Sequence, residues 1–368
     1  MQFPIIRPVM PAVGQWAPFL DESYGARRFS NFGPLVQRLE ARLLADWGSP
    51  DSACVLVSSG TAAVTAPLIA AGITGPVPLP AFTFPATLAA IRMAGATPVL
   101  IDVDPVTWAV TPSALDDALA STAAKAAVLV APFGLRTDFA PHADVARRRG
   151  AILVIDNASG LGVRRAYPET APHVHEAYSL HATKPFGIGE GGVVFTHRSR
   201  EHAIRQAINF ALAARPGDGP PHWGINGKMA EFQAAIGLAV AEDFATRLNR
   251  RRQAASGYAA MMAAFPQVPH RTIPEDAAWQ FFPLLLPSGA AADAFQEETR
   301  SRGMEIRRYY APSLSRLEGV ECLQPCPVSE SLAARMCCVP VYSDATDTEI
   351  AEMVDTVAGA LGAVLGTG

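Results

Sequence analysis

Charged side chains are scarce in this chain of 368 residues: Asp, Glu, Lys and Arg make up 17%, and 34 acids against 30 bases leave a formal net charge of -4. Recognition of a phosphate backbone needs a basic face. No Lys/Arg run supplies one, and the densest cluster, Arg250, Arg251 and Arg252, reads as the solvated face of a helix. Cysteine is sparse as well. The five residues Cys54, Cys322, Cys326, Cys337 and Cys338 form no CxxC pair, which argues for neither a disulfide framework nor a zinc site. Long apolar runs are also missing, since segments such as Ala123–Phe133 fall short of the about 20 apolar residues that cross a bilayer. The opening MQFPIIRPVMPAV lacks the charged start, long apolar centre and small-residue cleavage site of a secretory signal. The expectation is a cytoplasmic protein with neither nucleic acid nor membrane as partner. No repeat at a fixed period is visible, which disfavours solenoids and propellers.

What is present is a large apolar fraction, 49%, in a chain too long for one small domain. From Cys54 to Thr196, short β-type runs alternate with helical stretches, the pattern of a mostly parallel sheet covered by helices. The runs are CVLVSSG, PVPLP, PVLIDVD, AAVLVAPFG, AILVIDNAS and GGVVFTH, most of them apolar enough for burial on both faces. The pattern then turns helical, and MAEFQAAIG onward to AAMM has the length of a domain-connecting helix. Beyond it come a β-type run WQFFPLLLP, a helix around AADAFQEETRSRG, a β-type run EIRRYYAP and a final helix from Asp347 to Leu365. The expected division is a large domain over residues 1–245, with an N-terminal arm, and a smaller α+β domain over 246–368.

In open α/β sheets, functional residues collect where strands end. The segment SLHATKPFGIGEGG places Lys184 among small residues and glycines, a setting in which backbone can approach a cofactor and an amine can lose its charge to form a Schiff base. Asp156 ends the run AILVIDNAS. Read singly, it suits a helix cap or a turn, but pyridoxal phosphate (PLP) chemistry needs just such an anion beside the pyridine nitrogen. SSGTAAV, containing Ser59, Gly60 and Thr61, passes from strand to helix, where backbone N–H groups can take a phosphate, although SGT is also a common N-cap. Ser179 adds a hydroxyl for the same phosphate. Phe84 in AFTFPAT suits either a ring that stacks on the pyridine or a buried core aromatic.

Taken together, these segments resemble the DegT/DnrJ/StrS-type sugar aminotransferases, a branch of the fold type I PLP enzymes. The likeness extends over nearly the whole chain through RFSNFGPLVQRLE, SSGTAA, LPAFTFPATLAAIRMAGATPVLIDVD, VIDNAS, YSLHATKPFGIGEGG, GINGKMAEFQAAIG and IRRYYAPSL. It implies Lys184 as the cofactor lysine, Asp156 as partner of the ring nitrogen and Phe84 as the stacking ring. Ser59, Gly60, Thr61 and Ser179 are implied at the phosphate. Asn226 resembles an asparagine that reaches the phosphate of the neighbouring subunit, which implies a homodimer with shared sites. Asn31, His181, Tyr309 and Tyr310 fall in segments that border a sugar-nucleotide pocket. The implied reaction moves an amino group from glutamate to a nucleotide-linked keto-deoxy-sugar.

Two departures stand out. Ser159 occupies a cofactor-side position where many relatives carry Gln or His, so a water is expected to complete its contact. Lys228 stands where Arg is common, which keeps the charge but loses the bidentate fork. A dehydratase branch of the family replaces the lysine by His, so Lys184 favours amino transfer. Amination of a cyclitol ketone, a dehydration, or a catalytically silent regulator on the same fold are the other readings.

Overall fold

The computed structural model describes residues 1–163, 171–212, 221–269 and 277–366, which include every candidate site residue. Ten strands occur among them: β1 (Ser52–Val57), β2 (Pro76–Pro80), β3 (Thr97–Ile101), β4 (Ala126–Val130), β5 (Ile152–Asp156), β6 (Val174–Ser179), β7 (Gly192–His197), β8 (Phe281–Leu285), β9 (Glu321–Cys322) and β10 (Met336–Pro340).

The central sheet has the order β1-β7-β6-β5-β4. β4, β5 and β6 run parallel, and β7 runs antiparallel to both of its neighbours, so it alone is reversed. All residues of β1, β4 and β6 are buried, as expected of strands covered on both faces. A second, parallel sheet, β2-β3-β9, lies with β2 alongside β4. Proline explains why the two sheets are not one ladder. The Ala81 N–H donates to the Ile101 carbonyl at 2.9 Å, so odd-numbered residues of β2 face β3. Pro76, Pro78 and Pro80 therefore face β4, and none has an N–H to donate.

One expected strand differs. EIRRYYAP forms only an isolated bridge, Arg307 to Cys338. The partner of β8 is instead β10, with Met336 opposite Leu285. β6 was not expected, because VHEAYS carries His175 and Glu176, yet both are buried. The His175 Nδ1 lies 2.9 Å from the Thr196 Oγ1 on β7, and the Tyr178 hydroxyl donates to Glu176, so the polar groups are satisfied inside the sheet.

A 31-residue helix, Glu231–Met261, contains position 245. Its buried Glu231 caps the helix Pro34–Trp47 by accepting from the backbone N–H groups of Leu35 and Val36 at 2.8 and 3.1 Å. The carboxy-terminal third is tied back to the rest of the chain. β9 extends the sheet of β3, Phe3 bridges Met304, and one core joins Leu129 and Leu153 to Phe282, Val339 and Leu361. Among the described residues no helix is long and apolar enough to cross a membrane.

Candidate active site

Three strand ends meet at one cavity of about 450 Å³. β1 leads through Ser58 and Ser59 into the helix Gly60–Ala70, β5 ends in Asp156, and β6 ends in Ser179. The Ser59 hydroxyl accepts from the Ala62 N–H at 3.1 Å, so it is the N-cap of the helix. That leaves the helix start itself, Gly60 and Thr61, facing the cavity beside Ser179. A Cβ on Gly60 would lie 2.6 Å from the Ser179 Cβ, so glycine is what lets the helix start approach the end of β6. A Cβ on Gly192 would likewise run into the Ser59 carbonyl oxygen, which accounts for one glycine of the EGG segment.

Asp156 lies deep in the cavity. Its Oδ2 accepts from the Thr87 hydroxyl at 2.7 Å and its Oδ1 from the Ala158 N–H at 3.2 Å. The Lys184 Nζ donates to the Ser159 Oγ at 3.1 Å and to the Gln280 Oε1 at 3.0 Å. Ser159 in turn donates to the same Gln280 oxygen. Burial dominates both titrations. It pushes Asp156 above the ordinary carboxylate range against the pull of Thr87, Lys184 and Ala158. It draws Lys184 down to about 8, with Asp156 opposing. A poised amine and an under-compensated buried carboxylate thus share one pocket.

The sequence-expected residues sort into two groups. Lys184, Asp156, Ser59, Gly60, Thr61, Phe84, Ser159, Ser179, His181, Tyr309 and Tyr310 all line the cavity. Phe84 is 54% exposed at its rim, so the reading as a core aromatic is overturned. Tyr310 stacks on Phe133 with ring centroids 5.4 Å apart, and Tyr309 stacks on Phe281 at 5.2 Å. Asn31 and Asn226 do not line this chain's own cavity; both are exposed. Asn226 pairs with Asn209 in an isolated bridge, and the long helix starts at Glu231 with Ala230 as N-cap, so Asn226 is not a helix cap. The loop that carries it is nonetheless fastened to the phosphate-side turn, since the Ser58 N–H donates to the Gly227 carbonyl at 2.7 Å. Lys228 places its Nζ 4.6 Å from the centre of the Phe210 ring.

Thr87, Gln280 and Arg307 also line the cavity and were not anticipated from the sequence. Gln280 removes the need for a water at Ser159, because a carboxamide from the far end of the chain reaches that hydroxyl directly. Thr87 could have been suspected from its spacing to Thr83, one helical turn away on the cavity side, where the two hydroxyls lie 2.9 Å apart.

The residues present fit PLP. The carboxylate of Asp156 has two hydrogen-bond donors but, apart from Lys184, no cationic neighbour acting on it among the described residues, and a protonated ring nitrogen is the partner it lacks. A helix start and a hydroxyl stand ready for a phosphate.

Comparison with known proteins bears on the family and the fold. Residues 18–358 match the DegT/DnrJ/EryC1/StrS aminotransferase family. A dTDP-4-amino-4,6-dideoxy-D-glucose transaminase from Shigella dysenteriae is 26% identical over 363 residues, covering 96% of this chain and 97% of that protein. Among solved structures, DesI in the presence of its TDP-sugar product superposes with a TM-score of 0.86 at 30% identity, covering 99% of this chain and 93% of that one. NtdA from Bacillus subtilis with bound cofactor PMP shares the fold, with a TM-score of 0.81 at 21% identity over 95% of this chain and 82% of that one. This chain therefore belongs to the DegT/DnrJ/EryC1/StrS family and is a PLP-dependent aminotransferase.

Proposed function

We propose that the chain moves an amino group from glutamate to a nucleotide-linked keto-deoxy-sugar, with Lys184 as cofactor lysine and proton carrier. The observation that carries this reading is the pairing, in one cavity, of a buried amine drawn down to about 8 with the buried Asp156 carboxylate. The names of the Shigella transaminase and of DesI with its TDP-sugar product support the choice of acceptor. When bound, PLP supplies the electron sink for exchange of the amino group. Gly60, Thr61 and Ser179 would hold its phosphate, Phe84 would cover its ring, and Asp156 would keep a proton on the ring nitrogen. Lys184, as a neutral amine, would take the proton from the donor carbon and return it. His181, Tyr309 and Tyr310 would border the sugar. Incubating the protein with glutamate and a panel of keto-sugar nucleotides, read by mass spectrometry for aminated sugar, tests the assignment. Amination of cyclitol ketones alone, or loss of water without amination, would replace it.

The lysine's titration gives a direct check. A neutral amine captures the cofactor aldehyde, and the neutral fraction of Lys184 grows as pH rises through about 8. The rate at which the cofactor-free chain acquires visible absorbance from added PLP should therefore rise about tenfold from about pH 6 to 7 and level off above about pH 8. A rise continuing past about pH 10 would mean an ordinary exposed lysine.

The proposed assembly is a homodimer in which Asn226 serves the partner's phosphate. Its exposure outside its own cavity supports this, as do exposed Phe210, Leu212, Trp223 and Phe232 around it. A Lys184→Ala subunit mixed with an Asn226→Ala subunit should form a dimer with one intact site and one doubly damaged site, and activity should partly return. Subunit exchange is verified by native mass spectrometry. Exchange with no activity above the sum of the separate variants rules the shared site out.

A further inference from the structure

We propose that Gln280 is a positioning residue which, with Ser159, engages both N–H bonds of the free Lys184 amine and so aims its lone pair into the cavity. The inference rests on the reading of Lys184 as the cofactor lysine. A neutral primary amine has two hydrogens and one lone pair. Both hydrogens have acceptors here, the Ser159 Oγ at 3.1 Å and the Gln280 Oε1 at 3.0 Å. Ser159 can accept from the amine because its own proton is turned to Gln280. The three groups close a triangle in which the carboxamide oxygen takes two donors.

The triangle is braced from outside. Gln280 is 7% exposed, and its N–H donates to the Phe133 carbonyl at 3.1 Å. Arg251, buried in the long helix, donates to the carbonyls of Trp279, Gln280 and Val341 at 2.8, 3.3 and 2.8 Å and to the Ser343 hydroxyl at 2.8 Å. An oxygen held in this way defines where the amine rests whenever it is not bound to cofactor. It also ties the β6–β7 loop to β8, the strand that begins one residue after Gln280.

Other charges near the amine are accounted for. On the cavity side stand Asp156, His181, Glu190, Arg307, Tyr309 and Tyr310. Behind the loop, Arg7 and Arg247 are paired with Glu349 and Asp243, and Arg251 is held by carbonyls. None of these is altered by a substitution at position 280.

The test reads Lys184 in the full cofactor-free chain. Acetylation by acetic anhydride across a pH series, quantified at Lys184 by peptide mass spectrometry, gives the pH of half-labelling. Gln280→Glu should raise that pH by about one or more, and Gln280→Leu should lower it by about one, as an anionic or an absent acceptor requires. In the holoenzyme, Gln280→Leu should reduce kcat by about tenfold or more while KM for L-glutamate stays within about threefold. Half-labelling unchanged in both variants overturns the proposal. So does a raised KM with kcat retained, which would place Gln280 against the substrate. Should Gln280→Leu not fold, Ser159→Ala removes the bridging hydroxyl and is read in the same way. Failure of the underlying reading is distinguishable, because Lys184→Ala would then keep its turnover.

Discussion

Lys184→Ala should abolish turnover, with a loss of about 10⁴-fold or more, because both the covalent hold on the cofactor and the proton carrier disappear. The fold should survive. The substitution removes a buried amine whose pKa is already drawn down to about 8, so part of its desolvation cost is relieved. Ser159 and Gln280 remain hydrogen-bonded to each other without it. The melting temperature of the cofactor-free chain should accordingly stay within a few degrees of the parent. The helix start at Gly60, the Ser179 hydroxyl and Asp156 are untouched, so PLP should still bind, reversibly and without the visible absorbance of the covalent form. Turnover within about tenfold of the parent would end the assignment of Lys184.

Much of this could be read from the chain because its evidence is local. β1, β4 and the centre of β5 are apolar runs buried on both faces, and they were visible as such. So was the helix Asp347–Leu365, whose Thr346 cap and Glu349 form a capping box. Asp156 ends β5, the turn at Gly60 follows β1 and Lys184 lies in the loop after β6, on the side where sheets of this class place their chemistry. What stayed hidden depends on approach in space. β6 conceals its strand character behind His175 and Glu176, whose partners come from β7 and from Tyr178. The break between β2 and β4 follows from which edge three prolines face, and this is set only once β3 has paired. Gln280 meets Lys184 across 96 positions of sequence, a distance no spacing argument bridges.

Asp156→Asn should separate function from stability. The exchange keeps the size of the side chain: its amide oxygen can accept from the Ala158 N–H while its NH2 donates to the Thr87 hydroxyl, whose proton then turns to Thr83, but it deletes the charge. With the charge goes the hold on a proton at the cofactor's ring nitrogen, and turnover should fall about 100-fold or more, equivalent to roughly 2.7 kcal/mol of barrier. Stability of the cofactor-free chain should move the other way or not at all. Burial raises the Asp156 pKa above its unfolded value, so between those two values the folded state binds more protons than the unfolded one. The destabilisation from this group therefore grows as pH rises through that window and is fully present above the folded pKa. A neutral carboxamide carries no such burden, so the variant's melting temperature at neutral pH should equal or exceed the parent's, with the difference vanishing below about pH 4. Added PLP should reverse the order: it supplies the cation the carboxylate lacks, so it should raise the melting temperature of the parent more than that of the variant. A change in turnover below about threefold, together with equal stabilisation by PLP, would show that another acid serves the ring nitrogen.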